Sequence, residues 1–397
     1  MLVLNAGSAS LRFAVLTVPP GQASPDDATE SHAGILEGIG QEARLTRLAG
    51  KRALGHEPTR AADYGEATRQ VLDHLDEHQA LEGLDAVGLR VVHGGDRFEG
   101  PALVDDGVVA VIRELEALAP LHNAPSLEVL DAVRARLAGV PVVAVFDTSF
   151  HHTLPAVAIT YALPPELAAR HGLRRYGFHG TSHRYMAGRY ARLVGRPLDE
   201  LRLVTLHLES GCSAAAIDRG RSVETSMGMT PLEGLVMGSR SGDIDPAIVL
   251  HLARHAHLDL DAIDELLNKK SGLLGLSGRS HDTRDLVPLL ATDDRARLAM
   301  EVFVHRVRKY VGAYLAVLGG ADAIVFGGGI GEDTPYVREQ VCAGLAWCGL
   351  VLDPERNRAT IDVPGRLSTD DSRLHAHVVP VDEARQIAHE VGELLAR

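Results

Sequence analysis

Leu2 to Leu16 reads LVLNAGSASLRFAVL, a short apolar run, a turn of small residues and a second apolar run. Two such runs around so short a polar turn read as a β-hairpin, with Asn5, Ser8, Ser10 and Arg12 at or near its tip. The same grammar returns at Leu203 to Ile217, LVTLHLESGCSAAAI, around Glu209, Ser210, Gly211 and Ser213. Two hairpins so far apart in one chain suggest a duplicated domain. Their identity is slight, and chance recurrence of a common unit is the competing explanation. Length agrees with duplication, since 397 residues exceed one ordinary domain and suit two.

Composition narrows the class of function. Forty basic against fifty-three acidic residues leave a net charge of −13, which argues against nucleic acid or an anionic membrane as partner. Any bound anion must therefore meet local positive charge. The three cysteines, Cys212, Cys342 and Cys348, are odd in number and lack metal-ligand spacing, so a reducing cytoplasm is expected. Met1 leads straight into LVL, without a basic region or cleavage site. Gly312 to Ile330 holds one charge, Asp322, but its Gly319-Gly320 break fits a buried helix followed by a buried strand better than a membrane span.

Polar groups then recur where apolar runs end. Pro19 to about Thr59 reads as peripheral strands and loops, and a helix from Tyr64 to His78 leads to the strand AVGLRVVHGG, which ends on Arg90 and His93. Functional groups gather at such strand ends in α/β proteins. Pro125 and Ser126 open a helix bearing Leu127, Leu130, Val133 and Leu137, which places His122 just before a helix N-terminus. Val140 to Phe146 is a β-branched run closed by Asp147. In YGFHGTSH, Tyr176 to His183, His179 precedes a small-residue turn and a helix burying Tyr185, Tyr190, Leu193 and Val194. A cap for that helix is the competing role for His179. Zinc is disfavoured, because no third ligand shares an element with these histidines.

Thr225 to Pro246, TSMGMTPLEGLVMGSRSGDIDP, fits neither helix nor strand and reads as an ordered loop anchored by Met227, Met229, Leu232, Leu235, Val236 and Met237. Arg240, between Gly238 and Gly242, can offer a rigid fork to a carboxylate or phosphate. The competing reading pairs it with Asp243 or Asp245 at the surface. Leu273 to Arg284 reads as a glycine-and-serine turn, and Ala323 to Asp333, AIVFGGGIGED, as a strand, a glycine loop and the acidic start of a helix. The last is not a P-loop, since no Gly-Lys-Ser/Thr follows. The chain closes with a strand from His377 to Pro380, then Asp382 and Glu383 opening a helix that buries Ile387, Val391, Leu394 and Leu395. Two arginines (Arg90, Arg240), two histidines (His122, His179), two isolated carboxylates (Asp147, Glu383) and a glycine-rich loop are an inventory for phosphoryl transfer, which rests on positioning and charge neutralisation.

NAGSASLR, RVVHGG, APLHN, VFDTSFH, RYGFHGTSH, the loop just quoted, LNKKSGLLGLSG, GIGED and VDE occur in that order, and through them the chain resembles the acetate kinase family over nearly its whole length. The resemblance implies an α/β, two-domain actin-like ATPase (ribonuclease H-like) fold with duplicated mixed sheets flanked by helices. The domains would be residues 1–149 with 385–397, and residues 150–384, the second carrying most of the nucleotide pocket. It implies reversible, Mg2+-dependent (or Mn2+-dependent) transfer between ATP and acetate, giving acetyl phosphate and ADP on the way to acetyl-CoA, by a cytoplasmic homodimer.

Residue by residue, the resemblance assigns Arg90 and Arg240 to the acyl phosphate, His179 to the phosphoryl group in flight with His122 nearby, and Asp147, Glu383 and Asn5 to the metal. Arg12, His207, Ser210, Gly211 and Ser213 would meet the nucleotide phosphates. Asp282, Thr283, Arg284, Gly329, Ile330 and Gly331 fall in the adenosine pocket. Val92, Leu121, Phe178 and Pro231 match the methyl pocket, with Val92 bulky enough to favour acetate over propionate. Departures from the family pattern are HLESG for the usual HLGNG at the second phosphate loop, Arg12 for a lysine, Leu89 for a histidine, Ala124-Pro125-Ser126 for PAN and Asp333 for an asparagine. Glu209 brings negative charge to a loop expected to meet polyphosphate. A pyrophosphate-dependent or longer-acid kinase, and a non-catalytic sensor of the same fold, are the alternatives it raises.

Overall fold

A computed structural model describes residues 1–7, 9–21, 24–117 and 120–396, and every side chain among them except those of residues 117 and 120–122. Ser8, at the expected hairpin tip, lies outside the described residues. The chain divides into two compact units, Met1–His152 with Asp382–Arg397, and Thr153–Val381.

The first unit holds β1 (Leu2–Ala6), β2 (Ser10–Thr17), β3 (Thr29–Glu37), β4 (Glu42–Ala49), β5 (Arg52–Arg60), β6 (Val87–Val91), β7 (Ala102–Leu103) and β8 (Val142–Phe146). They form one sheet in the order β5-β4-β3-β2-β1-β6-β8-β7. β1 and β2 are the expected antiparallel hairpin, whereas β1, β6 and β8 run parallel. Alternation splits these strands between two cores. Leu2, Leu4, Leu89, Ala144 and Phe146 face the helices Tyr64–Glu77 and Pro120–Arg136, which contribute Val71, Leu75, Leu130 and Val133. Val3, Val143 and Val145 face the helix Glu383–Leu395 through Ile387, Ala388 and Val391. A sheet covered on both faces explains why its central strands are apolar throughout. A Cβ at Gly88 would stand 2.7 Å from Ile387 Cγ2, so glycine there lets the C-terminal helix sit close on β6.

The second unit holds β9 (Arg202–Leu208), β10 (Cys212–Asp218), β11 (Arg221–Thr225), β12 (Ala323–Gly327), β13 (Gly365–Arg366) and β14 (His375–Val378), in the order β11-β10-β9-β12-β14-β13. β9 and β10 are antiparallel, and β12 runs parallel to both β9 and β14. This succession repeats β3-β2-β1-β6-β8-β7 strand for strand. Topology therefore carries the duplication that sequence identity barely registers. Residues 312–330 comprise the end of the long helix Asp294–Leu318, a left-handed Gly319 cap, β12 and the start of the next helix. Among the described residues, no helix is long and apolar enough to cross a membrane.

Several local expectations are corrected. The helix read from Pro125 begins at Pro120, with Pro125 inside it, so His122 lies in the first turn and not before the N-terminus. Two prolines compete to open that helix, and the one at its first position, where no N–H is needed, wins. Leu193 is exposed at 41% and Leu395 at 43%; Met186 with Ala187, and Ala388, take the buried stripes instead. Residues 273–284 are mostly two short helices, Gly272–Ser277 and Thr283–Leu286. The glycines after β12 are themselves helical, Gly328–Asp333, which puts Asp333 at the helix end and not at its start.

His377 on β14 gives this fold a pH signature. Burial pushes its pKa down from 6.5 to about 4, so the native ring stays neutral where the unfolded chain takes up a proton. Stability is then full above pH 6.5 and falls as pH drops from there to about 4. The loss should be about 3 kcal/mol, at ~1.4 kcal/mol per unit. Urea unfolding across that range should show the slope, and His377→Asn should flatten it; an unaltered slope in the variant would assign the effect elsewhere.

Candidate active site

In the first unit the parallel strands β1, β6 and β8 present their C-terminal ends together, the usual place for a site in such sheets. Asn5 pairs in register with Arg90, Arg90 with Val145, and Asp147 follows β8 directly. Arg90 donates from Nε to Asp147 Oδ1 at 3.0 Å and from Nη2 to Oδ2 at 2.5 Å, the two-pronged fit of guanidinium to carboxylate. Its Nη1 donates to Asn5 Oδ1 at 2.9 Å, and Asn5 Nδ2 donates to Glu383 Oε2 at 2.7 Å. Glu383, first residue of the C-terminal helix, also stands 3.9 Å from Arg90 Nε. Four residues read separately from the sequence are thus one hydrogen-bonded cluster. Arg12 pairs in register with Asn5 and is exposed. Val92 is buried just beyond β6. The side chains of Leu121 and His122 lie outside the described residues.

The second unit assembles its own cluster around the turn between β9 and β10. His179 has φ 57, a left-handed conformation costly for a residue with a Cβ. It makes no side-chain cap to the helix Gly180–Val194, which removes the capping explanation. Instead its Nδ1 lies 2.8 Å from Ser213 Oγ, and His183 Nε2 lies 2.8 Å from the same oxygen. His183 Nδ1 reaches Thr205 Oγ1 at 2.8 Å. A serine hydroxyl carries one proton, so at most one of the two rings can accept from it and at least one must donate to it, which couples the tautomers of His179 and His183. His183, read from the sequence only as the companion of His179, and Thr205, which the sequence reading passed over, are both buried and extend this hydrogen-bonded chain. For Thr205 the only signal was β-strand alternation with His207, and for His183 it was the four-residue spacing from His179 along the helix Gly180–Val194.

Arg240 belongs to this cluster. A Cβ at Gly211 would lie 3.4 Å from His179 Cε1, 3.5 Å from His179 Nε2 and 3.5 Å from Arg240 Nη1, so imidazole and guanidinium flank one spot. Residues 226–245 form the expected irregular loop, and Met227, Leu235, Val236 and Met237 anchor it in the core. The loop is tied to the β9–β10 turn by Gly238 N–H donating to Ser210 O at 3.0 Å. Arg240 Nη1 donates to Pro231 O at 3.2 Å. Asp243 is engaged by Arg306 and Tyr310, and Asp245 accepts from the Ala247 N–H. Among the described residues of this unit no carboxylate pairs with Arg240, so the surface ion pair is excluded. Burial holds its pKa below the usual arginine value. Gly242 packs the loop against itself, since a Cβ there would meet Leu235 O at 2.3 Å.

The rings of His207 and His179 are tilted at 53° to each other, with centroids 4.5 Å apart. Its Nδ1 is buried without a hydrogen-bond partner among the described residues, while Nε2 lies 3.6 Å from Glu209 Oε2. Asp282 caps the helix Thr283–Leu286 and binds Arg284 as a fork, and that pairing holds the Asp282 carboxyl below its ordinary pKa. Thr283 Oγ1 meets Thr334 Oγ1 at 3.4 Å, which brings this segment to the helix carrying Gly329, Ile330 and Gly331. Space beside Gly329 is open. That helix is pinned by Arg338, fully buried, which donates to the carbonyls of Gly331, Glu332, Asn357 and Thr360. Phe178 is buried and Pro231 half-buried.

The model for the acetokinase family matches residues 1–389. The chain is 47% identical over 394 residues to an acetate kinase of Clavibacter sepedonicus, covering 98% of each, and 46% identical over 404 residues to one of Leifsonia xyli, covering 100% and 99%. Among solved structures, it superposes on a Porphyromonas gingivalis acetate kinase with TM-score 0.91 at 38% identity over 99% of both chains. A Francisella tularensis propionate kinase gives 0.90 at 36% identity over 98% of both. The duplicated α/β architecture is that of the acyl kinases. Within that class, the chain belongs to the acetokinase family.

Proposed function

We propose that this protein is a Mg2+-dependent acetate kinase, moving the terminal phosphoryl group of ATP in line onto acetate and back from acetyl phosphate to ADP. The observation that carries the reading is Arg240, half-buried, without a carboxylate partner in its unit and adjoining His179. Acetate, by analogy with Glu, has a pKa near ~4–5 and is ionised at neutral pH. No general base is then required. The difficulty is repulsion between anions, which guanidinium and imidazole offset.

Arg90 and Arg240 would hold the acyl phosphate, and His179, set by Ser213 and His183, would stabilise the phosphoryl group, with His122 contributing. Asn5, Asp147 and Glu383 offer the hard oxygen donors that Mg2+ takes, and when bound it would neutralise phosphate charge. Arg12, His207, Ser210, Gly211 and Ser213 would meet the phosphates. Asp282 to Arg284 and Gly329 to Gly331 would meet the nucleoside. Val92, Leu121, Phe178 and Pro231 would enclose the methyl group. We place the activity in the cytoplasm, in a homodimer whose units have the actin-like lobes of this family, and its product on the way to acetyl-CoA.

The carboxylate of Glu209, half-exposed beside His207, favours one second reading, a donor other than ATP. Trapping acetyl phosphate as its hydroxamate, with ATP, GTP or pyrophosphate against acetate, propionate or butyrate, decides between them. ATP with acetate should give the highest kcat/KM. Propionate should follow within about 10–200-fold, since one methylene is worth only ~1–3 kcal/mol. Product with pyrophosphate alone would replace the donor, and none with any pair would leave a sensor. Glu209→Gly should lower KM for ATP; an unchanged or raised KM would clear Glu209 of any part in donor binding.

A further inference from the structure

The helix Tyr64–Glu77 ends in a group that the phosphoryl-transfer reading leaves unused. His74, Glu77 and His78 occupy positions i, i+3 and i+4, so helical geometry turns them to one side. One ligand atom from each lies within 4.8 Å of the others. The hydrogen bonding adds an independent sign. His78 Nδ1 is 2.8 Å from the carbonyl oxygen of His74. A carbonyl only accepts, so Nδ1 carries the proton and Nε2 keeps its lone pair. This is the tautomer and the backing hydrogen bond that metal-bound histidines use. His74 is held by edge-on packing against Phe13, and the ring of His32 on β3 stands 6.4 Å from that of His78, centroid to centroid.

We propose that His74, Glu77 and His78, with His32 beside them, bind one transition-metal ion of the Zn2+ class. Two imidazoles and a single carboxylate suit Zn2+, Ni2+ or Cu2+ and are poor for Mg2+, which demands hard oxygens. The site is remote from the Arg90 cluster. Tyr64, at the other end of the helix, donates its hydroxyl to Gly7 O at 2.5 Å, close to Asn5. His74 lies ten residues further on, about 15 Å along the axis at ~1.5 Å per residue. An ion there would join the helix end to the strand meander, a stabilising role and not a catalytic one.

Calorimetric titration of the metal-stripped full chain with Zn2+ alone, in excess Mg2+, tests this. Wild type should bind one equivalent per chain, and Zn2+ should raise its melting temperature. His78→Gln, at an exposed position, should weaken binding about 10–100-fold, and His74→Gln with His78→Gln should abolish that equivalent. Both variants should melt like metal-free wild type in EDTA and keep wild-type acyl-phosphate formation. His251 and His255 form a second i, i+4 pair, ring centroids 4.7 Å apart, on the helix Ala247–His255, and belong to no such three-residue group among the described residues. His251→Gln with His255→Gln should therefore leave the titration unchanged. No binding by wild type, an undiminished equivalent in the His74 and His78 variants, or loss in the His251 and His255 variant would each overturn the proposal.

Discussion

Arg240→Ala should lower kcat/KM for acetate by about a thousandfold or more, the scale of losing a principal charge-stabilising donor. On the proposed mechanism the effect should fall on turnover, because the guanidinium would meet charge that builds as the phosphoryl group moves. Stability should change little. Arg240 has no carboxylate partner in its unit to strand, and its removal relieves the desolvation that lowers its pKa. Arg240→Lys restores the charge but not the fork and should recover only part of the rate. Hydroxamate assays with urea unfolding on the same preparations check both halves. Activity within tenfold of wild type in Arg240→Ala would take this residue out of the mechanism.

Asp147→Ala should damage both fold and function. Its side chain is 0% exposed and grips an Arg90 that is only 12% exposed. Removing one member of a buried pair costs about 3–5 kcal/mol when it strands the other charge, and Glu383, 3.9 Å from Arg90 Nε, offsets only part of that. Turnover should collapse as well, since Arg90 would lose the carboxylate that aims it and the proposed metal would lose an oxygen donor. Replacing Arg90 by Met in the same chain should return part of the stability and none of the activity. A double variant no more stable than Asp147→Ala would show that the cost arises from something other than the stranded guanidinium.

Residues whose placement follows from the strand pattern were legible. Asn5, Arg90 and Asp147 stand at ends of apolar runs, and those runs proved to be adjacent parallel strands, so local periodicity also located the cluster. The two hairpins pointed to duplication, and sheet order supplied what residue identity lacked. Partnerships made in three dimensions were not legible. Nothing near Arg338 in sequence announces four carbonyls gathered around a buried guanidinium, and nothing at Thr205 announces a chain of hydroxyls and imidazoles reaching His179. The left-handed backbone at His179 was hidden too, because a histidine followed by glycine reads as an ordinary turn. Amphipathic faces were read too far along, to Leu193 and Leu395, near helix ends where burial fades.

The helix Glu383–Leu395 covers one face of the first sheet, yet the whole second unit precedes it in the chain. While the ribosome is still translating, the first unit therefore emerges with Val3, Ala14, Val143 and Val145 bare to water and Glu383 not yet made. Domains tend to fold in order of synthesis, but here the earlier one must wait for the helix Glu383–Leu395, made after the whole of the second unit. During that interval its uncovered greasy face is a target for chaperones and for sticking to its neighbours.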